Sequence, residues 1–256
     1  MGYWIVITMV LVAIVAVVAA GAAEDGTERR RVRRPRLGKD DRLVWVALGA
    51  SDATGEGTSD PPRDNWVARL AATLPRDTTV HNEGVGGSTL AEARRVQVPR
   101  ALAASPDVVS LWLVVNDLLS GVPLPVYERE LAEVLDALSA ADCRVVVGNV
   151  PDLSRVPALG AAAGQATLLR LTAEHWNAAI ARIAFAHRAA VVDLFGAGAE
   201  LARDEEPFTA DGFHPSAAGH QRLADLFRPA VERALEAARF VEVDATDFAT
   251  GVTASR

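Results

Sequence analysis

The chain has 256 residues, half of them hydrophobic, which is enough for one well-buried domain with an appendage and too few for two comfortable ones. A net charge of -7, with the basic residues crowded before residue 40, argues against a nucleic-acid binder. Cys143 is the single cysteine, so no intrachain disulfide and no multi-cysteine metal site can form; its place before Val145, Val146 and Val147 marks it as a core thiol.

Residues 3–23 carry no charge, and about 20 apolar residues suffice to span the hydrocarbon layer. The segment lacks the basic start of a cleaved signal peptide and exceeds its apolar core in length. Residues 1–23 are therefore expected to be a transmembrane anchor or uncleaved signal segment, with cleavage near Ala20 to Ala23 as the alternative. Residues 24–41 form a basic linker that holds Arg29, Arg30, Arg31, Arg33, Arg34, Arg36 and Lys39. Positive flanks tend to stay cytoplasmic, which places the anchored domain inside the cell, a secreted or extracytoplasmic domain being the alternative.

From residue 42 to 240 the pattern alternates, as expected of one domain, and 241–256 reads as a peripheral tail. The apolar run 43–48 has no helical spacing and ends at Gly49, as a buried parallel strand does. A helix is predicted over 65–74, with Trp66, Leu70 and Leu74 on one face and Pro75 as its stop. A strand at 78–82, a helix at 90–104, a strand at 108–115 and a helix at 126–140 follow. Then come a strand at 144–150, a helix at 166–187, a strand at 190–194 and a closing helix at 216–238. Trp45, Trp66, Trp112 and Trp176 fall in apolar segments and are assigned to the core. Such alternation predicts an α/β fold with a five-stranded parallel sheet and helices on both faces. Ligands of such sheets bind outside the carboxyl ends of the strands. Ser51 follows the first strand, Gly87 the second, Asn116 the third, and His214 lies in the loop after the fifth.

These residues carry chemistry that a hydrolase needs. Asp211, three residues before His214, can fold back in a turn to accept the proton of one ring nitrogen, leaving the other to face a nucleophile. Alone, that spacing also fits an Asp that merely caps a helix. Pro215 has a fixed backbone angle suited to the first helical position. Ser51, behind Gly49, can present a hydroxyl and a backbone N–H, though a turn serine has the same sequence appearance. Gly84-Val85-Gly86-Gly87-Ser88 allows close backbone approach to a substrate oxygen, and Asn116 brings an uncharged amide donor suited to an oxyanion. His81, His175, His187 and His220 are explained by packing, capping or solvent exposure, and no convergent metal ligands are visible.

In order, Gly49-Ala50-Ser51-Asp52, Asn82 with Gly84 and Gly87, Asn116-Asp117 and Asp211-Gly212-Phe213-His214-Pro215 closely resemble the four blocks of the SGNH/GDSL hydrolase family. The resemblance covers residues 42–238 and implies a flavodoxin-like three-layer α/β/α sandwich. It implies Ser51 as nucleophile and first oxyanion donor, Gly87 and Asn116 as further donors, His214 as general base and Asp211 as its orienting acid. The 149–152 loop resembles one that many members carry near the substrate. Two departures stand out. Ala50 replaces an acidic residue of the name-giving motif, and Val114 stands where many members have glycine, which bears on substrate size more than chemistry.

The expected function is a serine esterase or lipase-type hydrolase that works without a cofactor or metal through an acyl-enzyme on Ser51. Its substrate would be a small-molecule, lipid or carbohydrate ester, and its catalytic domain a monomer. An acyltransferase or carbohydrate deacetylase on the same site, and an inactive membrane-tethered binding module, are the alternatives. A nucleophile-elbow α/β-hydrolase is disfavoured, because it carries its serine in mid-chain within Gly-x-Ser-x-Gly and its acid far from its histidine.

Overall fold

The computed structural model describes residues 31–35, 42–160, 162–198 and 206–244. The expected anchor at 1–23, the linker residues 24–30 and 36–41 and the tail beyond 244 lie outside the described residues. Among the described residues no helix is long and apolar enough to cross a membrane.

The chain divides into two compact units, one of Met1–Pro35 with Val241–Arg256 and one of Arg36–Phe240. Strand β1 (Arg31–Pro35), expected as linker, pairs with β7 (Phe240–Asp244), expected as the start of the tail. The larger unit is built on β2 (Leu43–Leu48), β3 (Thr78–Asn82), β4 (Val108–Leu111), β5 (Arg144–Gly148) and β6 (Ala190–Val192). All pair in parallel, in the order β3-β2-β4-β5-β6. The inner strand β4 is buried throughout, its one polar side chain, Ser110, accepting from the Trp45 indole at 3.0 Å, and the edge strand β3 is buried only in part.

The helices are α1 (Ser51–Thr54), α2 (Pro61–Asp64), α3 (Trp66–Ala71), α4 (Leu90–Ala103), α5 (Val115–Leu119), α6 (Leu124–Ala140), α7 (Ala163–Ala186) and α8 (Ala217–Ala238). On one face α4, α6 and α7 pack side by side; on the other α8 lies against the sheet and α3. The buried stripe of α8 includes His220, Leu223, Phe227, Val231 and Leu235, spaced as a single helical face requires. Phe227 stacks on Trp66 at 4.3 Å, and Trp45 and Trp112 complete this aromatic layer. Trp176 lies on the other side against Tyr127, so all four tryptophans are core residues.

Several boundaries differ from the expectations. The third strand ends at Leu111 rather than residue 115, because Trp112, Leu113 and Val114 turn to line a cleft and Val115 opens α5. The fourth ends at Gly148, where Asn149 turns its side chain to the backbone of Leu194 and Phe195. The fifth stops at Val192. Helix α3 stops at Ala71, and α1 and α2 lie where no helix was expected.

Candidate active site

Ser51 opens α1 immediately beyond the carboxyl end of β2. Three sets of contacts fix its approach. Gln97, fully buried on α4, accepts from Gly49 N at 3.1 Å and donates to Gly49 O at 3.0 Å. Gly49 and Gly84 both press on Ala53: a Cβ on either glycine would come within 2.6 Å of the Ala53 methyl. The 84–88 loop is thus packed directly under α1. Asn82 joins them, donating to Ala53 O at 2.7 Å and accepting from Gly84 N at 3.1 Å. On the far side Asp52 accepts from Ala50 N at 3.1 Å and from the Trp66 indole at 2.9 Å. Burial pushes its carboxyl up to about 6, against the pull of those donors.

The Asp211–His214 turn is closed by backbone bonds from Thr209 N to His214 O at 2.8 Å and from Gly212 N to Thr209 O at 2.9 Å. Gly212 holds a left-handed φ of 68°, which a side chain would strain. Asp211 Oδ1 accepts from the Thr209 hydroxyl and from the N–H groups of Phe213 and His214. Its Oδ2 receives His214 Nδ1 at 2.6 Å. Asp211 therefore caps the turn and grips the ring at once. The His214 side chain, followed by Phe213 N, holds its carboxyl well below the usual carboxylate range. With Nδ1 engaged, Nε2 is the nitrogen left to take a proton. Pro215 bridges Phe208 and precedes the helix; Ser216 is the cap, accepting from Gly219 N at 3.2 Å, so the first-position expectation for Pro215 is corrected.

A cavity of about 130 Å³ brings Ser51, Asn116 and His214 to one cleft at the carboxyl edge of the sheet. Its wall is mainly apolar, with Trp112, Val114, Leu153, Val156, Phe208 and Leu223 among the lining residues. Among the described residues the Ser51 hydroxyl has no hydrogen-bond partner, so serine and histidine share the cleft without a bond between them. Such contacts are often loose in a free enzyme and tighten around substrate. Asn116 Nδ2 donates to Ser88 O at 3.0 Å with one of its two hydrogens. Neighbouring Asp117 accepts from Leu90 N at 2.9 Å, and the Asn-Asp pair thereby ties the 84–88 loop and α4 to α5. Gly87 has a left-handed φ of 73° and is not a lining residue, whereas Ser88 is.

Asp152 lines the cleft from the 149–152 loop, where it pairs with Arg155 and Arg170. Sequence reasoning missed Asp52, Gln97 and Glu56, which stands 4.0 Å from His214 Nε2. Gln97 left a trace: it falls on the buried stripe of Leu90, Ala93 and Ala101, where a polar residue needs partners. His220 was assigned packing, capping or exposure; it is fully buried.

Residues 47–222 match the GDSL-like Lipase/Acylhydrolase family. The chain belongs to that family. It is accordingly a hydrolase of the SGNH type, and the cleft lies wholly within or beside the matched segment. An acetylxylan esterase of Geobacillus stearothermophilus is 24% identical over 207 residues, which cover 75% of this chain and 94% of that one. The crystal structure of TesA superposes with a TM-score of 0.61 at 23% identity, covering 75% of this chain and all of that one. The psychrotrophic esterase EstA from Pseudoalteromonas gives 0.59 at 17% identity, covering 75% and 98%. At these identities the structural likenesses establish the fold, the five-stranded parallel α/β sheet described above.

Proposed function

We propose that this hydrolase is a serine esterase that cleaves carboxylic esters through an acyl-enzyme. The observation that carries the reading is the shared cleft of Ser51 and His214, with Asp211 gripping the far nitrogen of the ring at 2.6 Å. Ser51 Oγ attacks the ester carbonyl carbon while its proton passes to His214 Nε2. The carbonyl oxygen becomes an oxyanion facing Ser51 N–H, Gly87 N–H and the Asn116 amide. Collapse breaks the bond to the alcohol, which leaves with the proton from Nε2. Water then attacks the acyl group, gives its proton to Nε2 and frees the acid, and Ser51 recovers its own proton. Asp211 keeps Nδ1 protonated and stabilises the imidazolium between these steps.

The acyl group is assigned to the apolar cleft. An apolar cavity of about 150 Å³ takes up benzene, so the 130 Å³ here suits acyl groups up to about six carbons. The likeness to an acetylxylan esterase supports a carbohydrate or other small polyol as the alcohol. The test compares the full chain with Ser51→Ala, His214→Ala and Asp211→Asn on p-nitrophenyl acetate, butyrate and octanoate. Losses of about 10³-fold or more in kcat are expected for the first two. Equal rates in all the proteins would refute the mechanism.

A further inference from the structure

Glu56 lies outside the acid–base pair and outside the apolar cleft, yet it is aimed at the same histidine. It follows the end of α1 by two residues, and its N–H donates to Ser51 O at 3.0 Å. Gly55, at φ 76°, ends α1 in a left-handed cap whose N–H also donates to Ser51 O. The carboxylate then reaches 4.0 Å from His214 Nε2. It also rests against the 84–88 loop: a Cβ on Gly86 would come within 3.3 Å of Glu56 Oε2. Its side chain is 56% exposed, and among the described residues it has no cationic partner except that ring.

We infer that Glu56 selects the alcohol part of the ester, favouring cationic or hydroxyl-rich alcohols and rejecting anionic ones. The inference rests on the esterase reading and concerns the same site. During acyl transfer the leaving oxygen takes its proton from His214 Nε2 and must lie about 3 Å from it. Glu56 Oε2, at 4.0 Å from the same nitrogen, is therefore within about 7 Å of that oxygen. Because Glu56 does not line the apolar cleft, the substrate part it meets is the one projecting from the cleft, which is the alcohol. A carboxylate there accepts hydrogen bonds from hydroxyls, attracts an ammonium and repels a carboxylate or phosphate. The separation is inside the Debye length of about 8 Å at physiological ionic strength, so salt does not erase the effect. With a largely solvated carboxylate, Coulomb's law at about 6 Å gives roughly three- to tenfold in rate per unit charge. The neighbouring carboxylates do not compete for this role. Asp211 is bound to Nδ1, Asp52 is engaged by Trp66 and Ala50, and Asp152 is paired with two arginines.

The experiment uses three butyrate esters with one acyl group and different alcohols: butyrylcholine, glycerol monobutyrate and O-butyrylglycolate. Values of kcat/KM are measured for the full chain, Glu56→Gln and Glu56→Lys, at low salt and at about 0.5 M NaCl, where the Debye length falls to a few ångströms. The expected result is a cation-to-anion ratio that drops about tenfold or more in Glu56→Gln, drops further in Glu56→Lys, and shrinks with salt in the parent chain. A merely structural role would lower all three substrates by one common factor. That common factor, or a ratio that does not move, overturns the inference. Ser51→Ala run beside them separates the two readings. If hydrolysis depends on Ser51 and the ratio stays fixed, the Glu56 inference fails alone; if no hydrolysis depends on Ser51, the esterase reading fails and takes this one with it.

Discussion

His220 gives the sharpest test of how the fold treats its ionisable groups. The ring is fully buried on α8, and among the described residues neither ring nitrogen has a hydrogen-bond partner. Burial, followed by the Arg69 guanidinium, pushes its pKa down to about 4 from an ordinary 6.5. The neutral ring is thus the folded form, while the unfolded chain takes up a proton as the pH falls below 6.5. Stability from this group is fully present above pH 6.5 and is lost as the pH falls to about 4. A shift of that size corresponds to ~3 kcal/mol. Asp52 and Asp117 act in the opposite sense. Both are pushed up to about 6 by burial, so each contributes most below the unfolded value of 3.8 and loses that contribution as the pH rises through 6. The acid response of the parent chain is a sum of opposed terms, and only a difference isolates His220. We predict that His220→Leu is at least as stable as the parent at pH 7.5, since an unpartnered polar ring is replaced by an apolar group of similar size. Urea unfolding followed by tryptophan fluorescence, from pH 7.5 to 4, should show the variant gaining ~3 kcal/mol over the parent across that range. Stability curves that run parallel with pH would refute the reasoning.

Two further substitutions probe the scaffold and the cleft. Gln97→Leu leaves Gly49 O with its bond from Val85 N at 3.1 Å but strips the buried Gly49 N–H of its partner; the expected cost is ~1–3 kcal/mol, read from the urea midpoint, and an unchanged midpoint would show that the clamp contributes nothing. Val114→Gly removes a buried side chain from the cleft wall. It should move the best p-nitrophenyl ester toward acyl chains about two carbons longer, each buried methylene being worth ~0.8 kcal/mol; an unmoved chain-length optimum would place the acyl group elsewhere.

What the sequence disclosed and what it hid have the same physical cause. A parallel strand buried on both faces is a largely apolar run, so β2 and β4 were legible, the latter despite Ser110. The end of β4 was not. Trp112, Leu113 and Val114 are as apolar as the strand before them, but they wall a cleft, and periodicity cannot tell a cleft wall from a strand. The meeting of Ser51, Asn116 and His214 at one cleft was legible because strand-end position and local motif coincide. Gln97 and Glu56 meet partners far along the chain, Gln97 across 48 residues at Gly49 and Glu56 at His214. No local pattern encodes such a contact, although a glutamine on a buried helical stripe is a trace of one.

His214 and His220 show how little the residue type decides. They lie on either side of the Ser216 cap, one in the turn before α8 and one in its first turns. The fold separates their chemistry by burial and by partner. His214 keeps 19% of its side chain exposed, and a carboxylate with three other hydrogen-bond donors holds its Nδ1. A developing positive charge on that ring would find a fixed counter-charge already in place, which is what a base working in a partly enclosed cleft requires. His220 is buried with no carboxylate bonded to its ring, so it is neutral at pH 7. On the proposed mechanism, Asp211 is therefore the residue that fits one of two neighbouring histidines for acid–base work. The turn closed by Gly212 and Thr209 matters because it delivers that carboxylate, more than because it positions the ring.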